Sequence, residues 1–226
     1  MSKKTIAVIA AHPDDEVFGC GGTLLKCKKK GFDVHLLFMT NGISARDHID
    51  ANDMDIRHEG YEKAVKFLGP KTSDYLDFPD NQLDTVPFLT VVKEIEKFLL
   101  KTQPDTILTH YRHDLNLDHR LTANAVLTAS RPGSECFVPT ILSFEVPSST
   151  HWNLGEEPYV PNLYIDISDV INEKMKYLDC YASEMRGYPH ARSMEKILAL
   201  SQMRGADCFK QHAEAFILLR GVYNEL

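Results

Sequence analysis

The period of apolar and polar positions changes several times along the chain. Residues 5–11 (TIAVIAA) form an unbroken apolar run, and residues 34–40 (VHLLFMT) form a second. Short continuous runs of this kind are what strands buried on both faces of a parallel sheet require. Between them a glycine-rich turn leads into a short helix over 22–30, closed by Gly31. Residues 56–68 have helical spacing and stop at Gly69-Pro70, and residues 75–78 read as a short strand. Phe88, Val91, Val92, Ile95, Phe98 and Leu99 share one helical face. A strand at 106–109 and a helix at 118–128 follow. This alternation predicts an α/β fold, a Rossmann-like and mostly parallel sheet flanked by helices.

The second half is less regular. Residues 141–146 and 163–167 read as strands, and 169–180 and 192–204 as helices. Pro132, Pro139, Pro147, Pro158 and Pro161 punctuate the loops between them. Loops of that length tend to cover a site. The expectation is one domain over 1–226, with a Rossmann-like core (1–130) and a loop-rich C-terminal extension (131–226) completing the site.

Composition narrows the class. Lys plus Arg is 25 against 32 Asp plus Glu, a net charge of −7, which argues against a nucleic-acid partner. No apolar run reaches the roughly 18 residues of a membrane span. The N-terminal apolar stretch ends in His12-Pro13-Asp14-Asp15 rather than a signal cleavage site. The 5 cysteines are widely spaced with no CxxC pair, and read as free buried thiols in a reducing cytoplasm.

The chemistry concentrates at two places. His12-Pro13-Asp14-Asp15-Glu16 follows the first strand directly. Ligands of open parallel sheets bind beyond the strands' carboxyl ends. Three carboxylates and an imidazole there repel one another unless a cation intervenes, and the mixture suits zinc or a similar divalent metal. The bland alternative is a polar turn in which an Asp caps the next helix. Gly19, Gly21 and Gly22 lack dinucleotide-loop spacing, and read instead as letting the backbone approach the site. The second cluster, residues 109–120, holds His110, His113 and His119 after another strand. His12, Asp15 and one of these histidines would supply the three protein ligands of a catalytic zinc site. A hydrated loop with incidental histidines is the competing reading.

These residues resemble the LmbE-like de-N-acetylase family, which includes the GlcNAc-phosphatidylinositol de-N-acetylase. The likeness rests on A-H-P-D-D-E followed by G-C-G-G-T-L and on Asp114-Leu115-Asn116-Leu117-Asp118-His119, similar to a D-x-[HN]-x-D-H element. The stretch from Arg57 to Ala64 resembles the family's R-x-x-E-x-x-x-A helix. Tyr181-Ala182-Ser183-Glu184, Pro189-His190-Ala191-Arg192-Ser193 and Ala213-Glu214-Ala215-Phe216 resemble its C-terminal segments. The resemblance implies a zinc hydrolase that removes the acetyl group from the 2-amino group of an N-acetylglucosamine-like sugar or conjugate, often as a homo-oligomer. By position, His12, Asp15 and His119 would hold the metal and Asp14 would be the general base. Arg57 and Asp80 would lie near substrate hydroxyls. Many members carry histidine where this chain has Asn116, which donates a hydrogen bond but cannot act as an acid. His190, His110, His113 or Asp14 itself would then protonate the leaving amine, with Asp118 orienting a histidine. A phosphoesterase and a silent sugar-binding protein are the alternatives. His35 and His58 read as structural, and His48, His151 and His212 as surface residues. Glu145 and the following VPSST resemble a segment of members tied to cell-surface sugars, or else form a polar loop.

Overall fold

The computed structural model describes residues 4–42, 51–155 and 157–223; His48 lies outside them. Seven strands, β1 (Thr5–Ala10), β2 (Asp33–Phe38), β3 (Thr72–Tyr75), β4 (Thr106–His110), β5 (Thr140–Phe144), β6 (Leu163–Asp166) and β7 (Ala213–Gly221), form one sheet in the order β3-β2-β1-β4-β5-β7-β6. The first five in that order are parallel, and β7 runs antiparallel to both β5 and β6. The expected mostly parallel sheet is present, with β7 as an unanticipated strand. Its run AEAFILL is interrupted by Glu214. That carboxylate is buried rather than solvated: it accepts from the Gly22 and Thr23 N–H groups, the Thr23 hydroxyl and Lys174 Nζ.

Alternation along β1 sorts the core into two layers. Ile6, Val8 and Ala10 pack with α1 (Asp15–Lys29), α2 (Ala51–Leu68), α5 (Ile171–Leu178) and α6 (Met194–Asp207). Ala7 and Ile9 pack with α3 (Phe88–Thr102) and α4 (Leu117–Ala129). The helix expected at 22–30 begins earlier, at Asp15, and takes in the glycines. They serve packing rather than approach to the site: a Cβ on Gly19 would lie 2.2 Å from the Phe144 ring, and one on Gly22 would lie 2.9 Å from Ile167. Cys20 interrupts the helix with φ −146°. The strand expected at 75–78 sits three residues earlier.

The 5 cysteines are free; Cys20 and Cys136 are buried and the other three half-buried. His151 and His212 are half-buried rather than superficial, bonded to Glu145 and Ser201 respectively. Among the described residues, no helix is long and apolar enough to cross a membrane. The strand order reverses direction of growth at β1, so β1 and β4 flank a topological switch point.

Candidate functional site

β1 delivers His12 to Glu16 to the carboxyl edge of the sheet, and α1 starts within that segment. The turn is tight. Asp14 has φ +129°, where a side chain is strained. Its N–H donates to Glu16 Oε2 at 2.9 Å, and Glu16 Oε1 accepts from the Tyr177 and Tyr181 hydroxyls at 3.0 and 3.1 Å. Burial pushes Glu16 up to about 7.

The Asp15 carboxylate is where three imidazoles meet. Oδ2 lies 3.3 Å from His12 Nδ1 and 3.3 Å from His110 Nε2, and Oδ1 lies 3.4 Å from His119 Nε2. His119 is oriented from behind, with Nδ1 3.2 Å from Asp114 Oδ1 and 3.3 Å from Ser149 Oγ. With Nδ1 committed to Asp114, Nε2 is the ring nitrogen left for a metal once it gives up its proton. Asp114 is itself fixed by the Asn116 N–H and the Thr150 hydroxyl. Burial alone would lower His119, but Asp15 and Asp114 push it up to about 9. Burial likewise opposes, and Asp118, Asp15 and Asp80 outweigh it, at His12, which is raised well above an ordinary histidine. His12 Nε2 lies 3.0 Å from Asp80 Oδ1 and 3.5 Å from Asp118 Oδ2, yet is in line for a hydrogen bond with neither.

These residues fit a divalent metal. Ligand atoms of His12, Asp15 and His119 all lie within 4.8 Å of one another, and Asp15 Oδ1 and His12 Nε2 are buried without hydrogen-bond partners among the described residues. Two imidazoles and a carboxylate are a usual catalytic zinc set. An overlapping group, His12, Asp80 and Asp118, meets the same distance criterion. Asp118, however, already accepts from the Asn81 N–H at 2.7 Å and the Leu83 N–H at 3.1 Å, clamping the loop that carries Asp80. Asp14, Asp15, Asp80, Asp114, Asp118 and Glu184 crowd this site against the guanidinium groups of Arg57 and Arg192. That excess of negative charge also favours a cation.

Asp14 is held by one oxygen. Oδ2 accepts from Arg57 Nη1 at 3.2 Å and from Arg192 Nη1 at 3.0 Å, while Oδ1 is buried with no partner among the described residues. Glu184 bridges the two arginines, 2.9 Å from Arg57 and 3.4 Å from Arg192. Burial lifts Asp14 above the usual carboxylate range by more than the two arginines lower it. The family helix pattern has glutamate at position 60, where this chain has Gly60. A Cβ there would come within 3.2 Å of Cys180 O, so the segment leading to Glu184 lies close on α2.

A cavity of about 310 Å³ opens above these groups. His12, Asp14, Arg57, Asp80, Asn116 and His119, all expected from the sequence, line it, and so do Ser148, Ser149, Glu184 and Arg192. Asp15 and Asp118 are fully buried next to His12. Besides these two, three further expected residues do not line the cavity. His110 is buried and stacked on His119 at 3.8 Å, accepts the Ala11 N–H, and is lowered by burial and by His119 to about 4. His113 pairs with Glu157 at 3.2 Å. His190 is exposed, its Nδ1 accepting the Arg192 N–H and its ring 6.0 Å from that of Trp152. Asn116 lines the wall chiefly as the cap of α4, accepting from the Asp118 and His119 N–H groups. Glu145 accepts from Arg204 Nε at 2.8 Å and Nη2 at 2.7 Å, so the polar-loop alternative gives way to a buried ion pair. Arg192 and Glu184 carried no role in the sequence reading. The signal for them was the carboxylate excess of HPDDE, which calls for cations from elsewhere in the chain.

Comparison with known proteins bears on this geometry. Residues 7–130 match the family model PIG-L, GlcNAc-PI de-N-acetylase. The chain is 31% identical over 151 residues to the uncharacterized deacetylase YaiS of Escherichia coli, covering 65% of this chain and 76% of that protein. It is 26% identical to a probable N-acetyl-alpha-D-glucosaminyl L-malate deacetylase 2 of Bacillus cereus, covering 80% and 84%. It is 28% identical to the diacetylchitobiose deacetylase of Thermococcus kodakarensis, covering 80% and 70%. In fold it resembles the N,N'-diacetylchitobiose deacetylase from Pyrococcus horikoshii (TM-score 0.77, 22% identity, 99% of this chain and 86% of that one). The 4-carboxy-2-hydroxymuconate hydratase GalB from Pseudomonas putida shares the fold to the same degree (TM-score 0.78, 20% identity, 99% of each chain).

Proposed function

The chain belongs to the PIG-L (GlcNAc-PI de-N-acetylase) family, and on that premise we propose that it is a metal-dependent N-deacetylase of an N-acetylglucosamine-like sugar or conjugate, with zinc as the metal. The observation that carries the reading is the unpartnered Oδ1 of Asp14, placed in a cavity wall with His12 and His119, the two imidazoles of the metal set.

His12, Asp15 and His119 would hold the metal, with Asp114 fixing the tautomer of His119. When bound, the metal supplies Lewis acidity toward the amide carbonyl and toward the attacking water. Arg57 and Arg192 hold Asp14 Oδ2, which leaves Oδ1 to accept a proton from the water as its oxygen bonds to the carbonyl carbon. Base assistance of this kind is typically worth about 10² to 10⁴ in rate. As the carbon–nitrogen bond breaks, Asp14 returns that proton to the amine nitrogen, and acetate and the free amine leave. Asp14 takes both roles because neither His190 nor His113 enters the cavity and His110 lies buried beneath His119. Burial, by lifting Asp14, makes it a stronger base toward the water and lets it keep the proton until the amine leaves. Asp80 and Arg57 line the cavity where sugar hydroxyls would sit.

The test is acetate release from N-acetylglucosamine, UDP-GlcNAc, GlcNAc-malate, GlcNAc-inositol and diacetylchitobiose, before and after chelation and on zinc return. Metal-dependent release from at least one supports the reading. No release, together with hydration of an unsaturated carboxylic acid, would place the chain with the hydratase that shares its fold.

A further inference from the structure

Arg57 is a wall of two cavities. The catalytic cavity is one. The other, about 230 Å³, is lined also by Pro13, Met54, Asp55, His58, Tyr61 and Tyr75. They are neighbours at two further points, since Pro13 and Asn41 line the second cavity where Asp14 and Gly42 line the first. Their chemistry differs. Carboxylates, imidazoles and guanidinium groups surround the catalytic cavity. Aromatic rings surround the second: Tyr75 stands edge-to-face with Tyr61 at 5.5 Å, and His58 is tilted against Tyr61 at 6.4 Å. The Tyr61 hydroxyl is engaged by Ser73 Oγ at 2.8 Å. Met54 and Tyr75 stay 47% and 43% exposed, an apolar surface left uncovered beside a polar site.

One polar group of the shared Arg57 is unsatisfied. Arg57 Nη1 serves Asp14 and Glu184, and Nη2 serves Pro13 O. Arg57 Nε is buried and has no hydrogen-bond partner among the described residues. A buried donor left unpaired costs free energy, so a ligand that brings an acceptor to it is favoured.

We propose that the second cavity is a subsite for an uncharged pyranose ring joined to the N-acetyl sugar whose amide reaches Asp14. The proposal rests on the deacetylase reading above. A pyranose has an apolar C–H face and hydroxyls around its rim. Tyr75 and Met54 meet the face, and Arg57 Nε and Asp55 meet the hydroxyls. An anionic group gains little here, because Asp14 and Glu184 already balance Arg57, and it would meet Asp55. A wholly apolar group would leave Arg57 Nε unpaired.

The experiment compares kcat/KM for acetate release from N-acetylglucosamine, N,N'-diacetylchitobiose and GlcNAc-malate by the metal-loaded protein and its Tyr75→Ala and Tyr75→Phe variants. The disaccharide is expected to exceed the monosaccharide roughly tenfold, the value of one aromatic contact. That ratio should fall toward one in Tyr75→Ala and survive in Tyr75→Phe. A ratio near one in the parent protein, a ratio unmoved by Tyr75→Ala, or a preference for the malate conjugate would each overturn the proposal. Should Tyr75→Ala fail to fold, His58→Ala on the exposed side of α2 takes its place. Saturation-transfer NMR of the disaccharide on metal-loaded Asp14→Asn separates this proposal from the reading beneath it. If no substrate releases acetate, the deacetylase reading fails. Contact to the second ring that is lost with Tyr75→Ala in the Asp14→Asn background still upholds the subsite, and no such contact removes it.

Discussion

Arg192 Nη1 donates to Asp14 Oδ2 at 3.0 Å across 178 residues of sequence. The contact joins the segment after β1 to the segment just before α6, and it occupies one oxygen of a carboxylate whose residue lines the cavity. Arg192 is itself held by Ser148 Oγ at 3.0 Å and lies over the Phe18 ring at 5.1 Å. It is therefore a positioning residue for Asp14.

Replacing it should move both rate and pH dependence. A nearby cation lowers a carboxyl pKa, so removing Arg192 raises Asp14 further above its already lifted value. A base must be ionised to act. The acid limb of the kcat/KM profile should therefore shift to higher pH in Arg192→Gln, with kcat at neutral pH falling about tenfold or more. Arg192→Lys should recover part of both. Rate profiles between pH 5 and 9 check this; an unmoved acid limb would show that Arg192 does not tune Asp14.

Metal uptake should release protons. His119 is raised to about 9 and His12 is raised as well, so without metal both imidazoles carry protons near neutrality. Metal requires their neutral forms. Affinity for zinc should accordingly rise with pH from 6 toward 9. Calorimetry at pH 7 in buffers of different ionisation enthalpy should report more than one proton released per metal. Proton-neutral binding would contradict the assigned ligands. His119→Ala should lose stoichiometric metal.

Away from the site, Glu145 and Arg204 form a buried pair completed by His151 at 2.6 Å. Burial would raise Glu145, but His151 and Arg204 hold it below the usual carboxylate range. A depressed folded-state pKa stabilises the fold above the unfolded value, and that stabilisation fades as pH falls through the folded one. Removing one partner of a buried pair typically costs about 3 to 5 kcal/mol. Arg204→Ala should lower Tm by several degrees at pH 7, and the gap to the parent should narrow below pH 4. Parallel thermal melts at the two pH values check it.

His190→Ala should cost less than about threefold in kcat/KM, because the ring is exposed beside Trp152 and lines no part of the cavity. Histidine at this position looked available from sequence because its segment does converge on the site, but through Arg192. The difference shows what local sequence can carry. HPDDE and the D-x-N-x-D-H element could be read because each is contiguous and each follows an apolar strand, so chain order alone puts both at one sheet edge. Nothing local distinguishes His190 from Arg192, which differ in orientation by one turn of backbone. β7 was hidden for a related reason. Glu214 breaks its apolar run, and only the tertiary fold supplies Lys174 and Thr23 to bury that carboxylate. The glycines after HPDDE were seen, but the partners that need them, Phe144 and Ile167, lie over a hundred residues away in sequence.

The central claim is that Asp14 is the base of a site whose metal is held by His12, Asp15 and His119. The most direct test measures zinc content and acetate release on the same preparations of the parent protein and Asp14→Asn. The account predicts stoichiometric zinc in both, and a rate in Asp14→Asn lower by about 10² to 10⁴. Full activity in zinc-loaded Asp14→Asn, or undiminished activity of the parent after complete zinc removal, would contradict it.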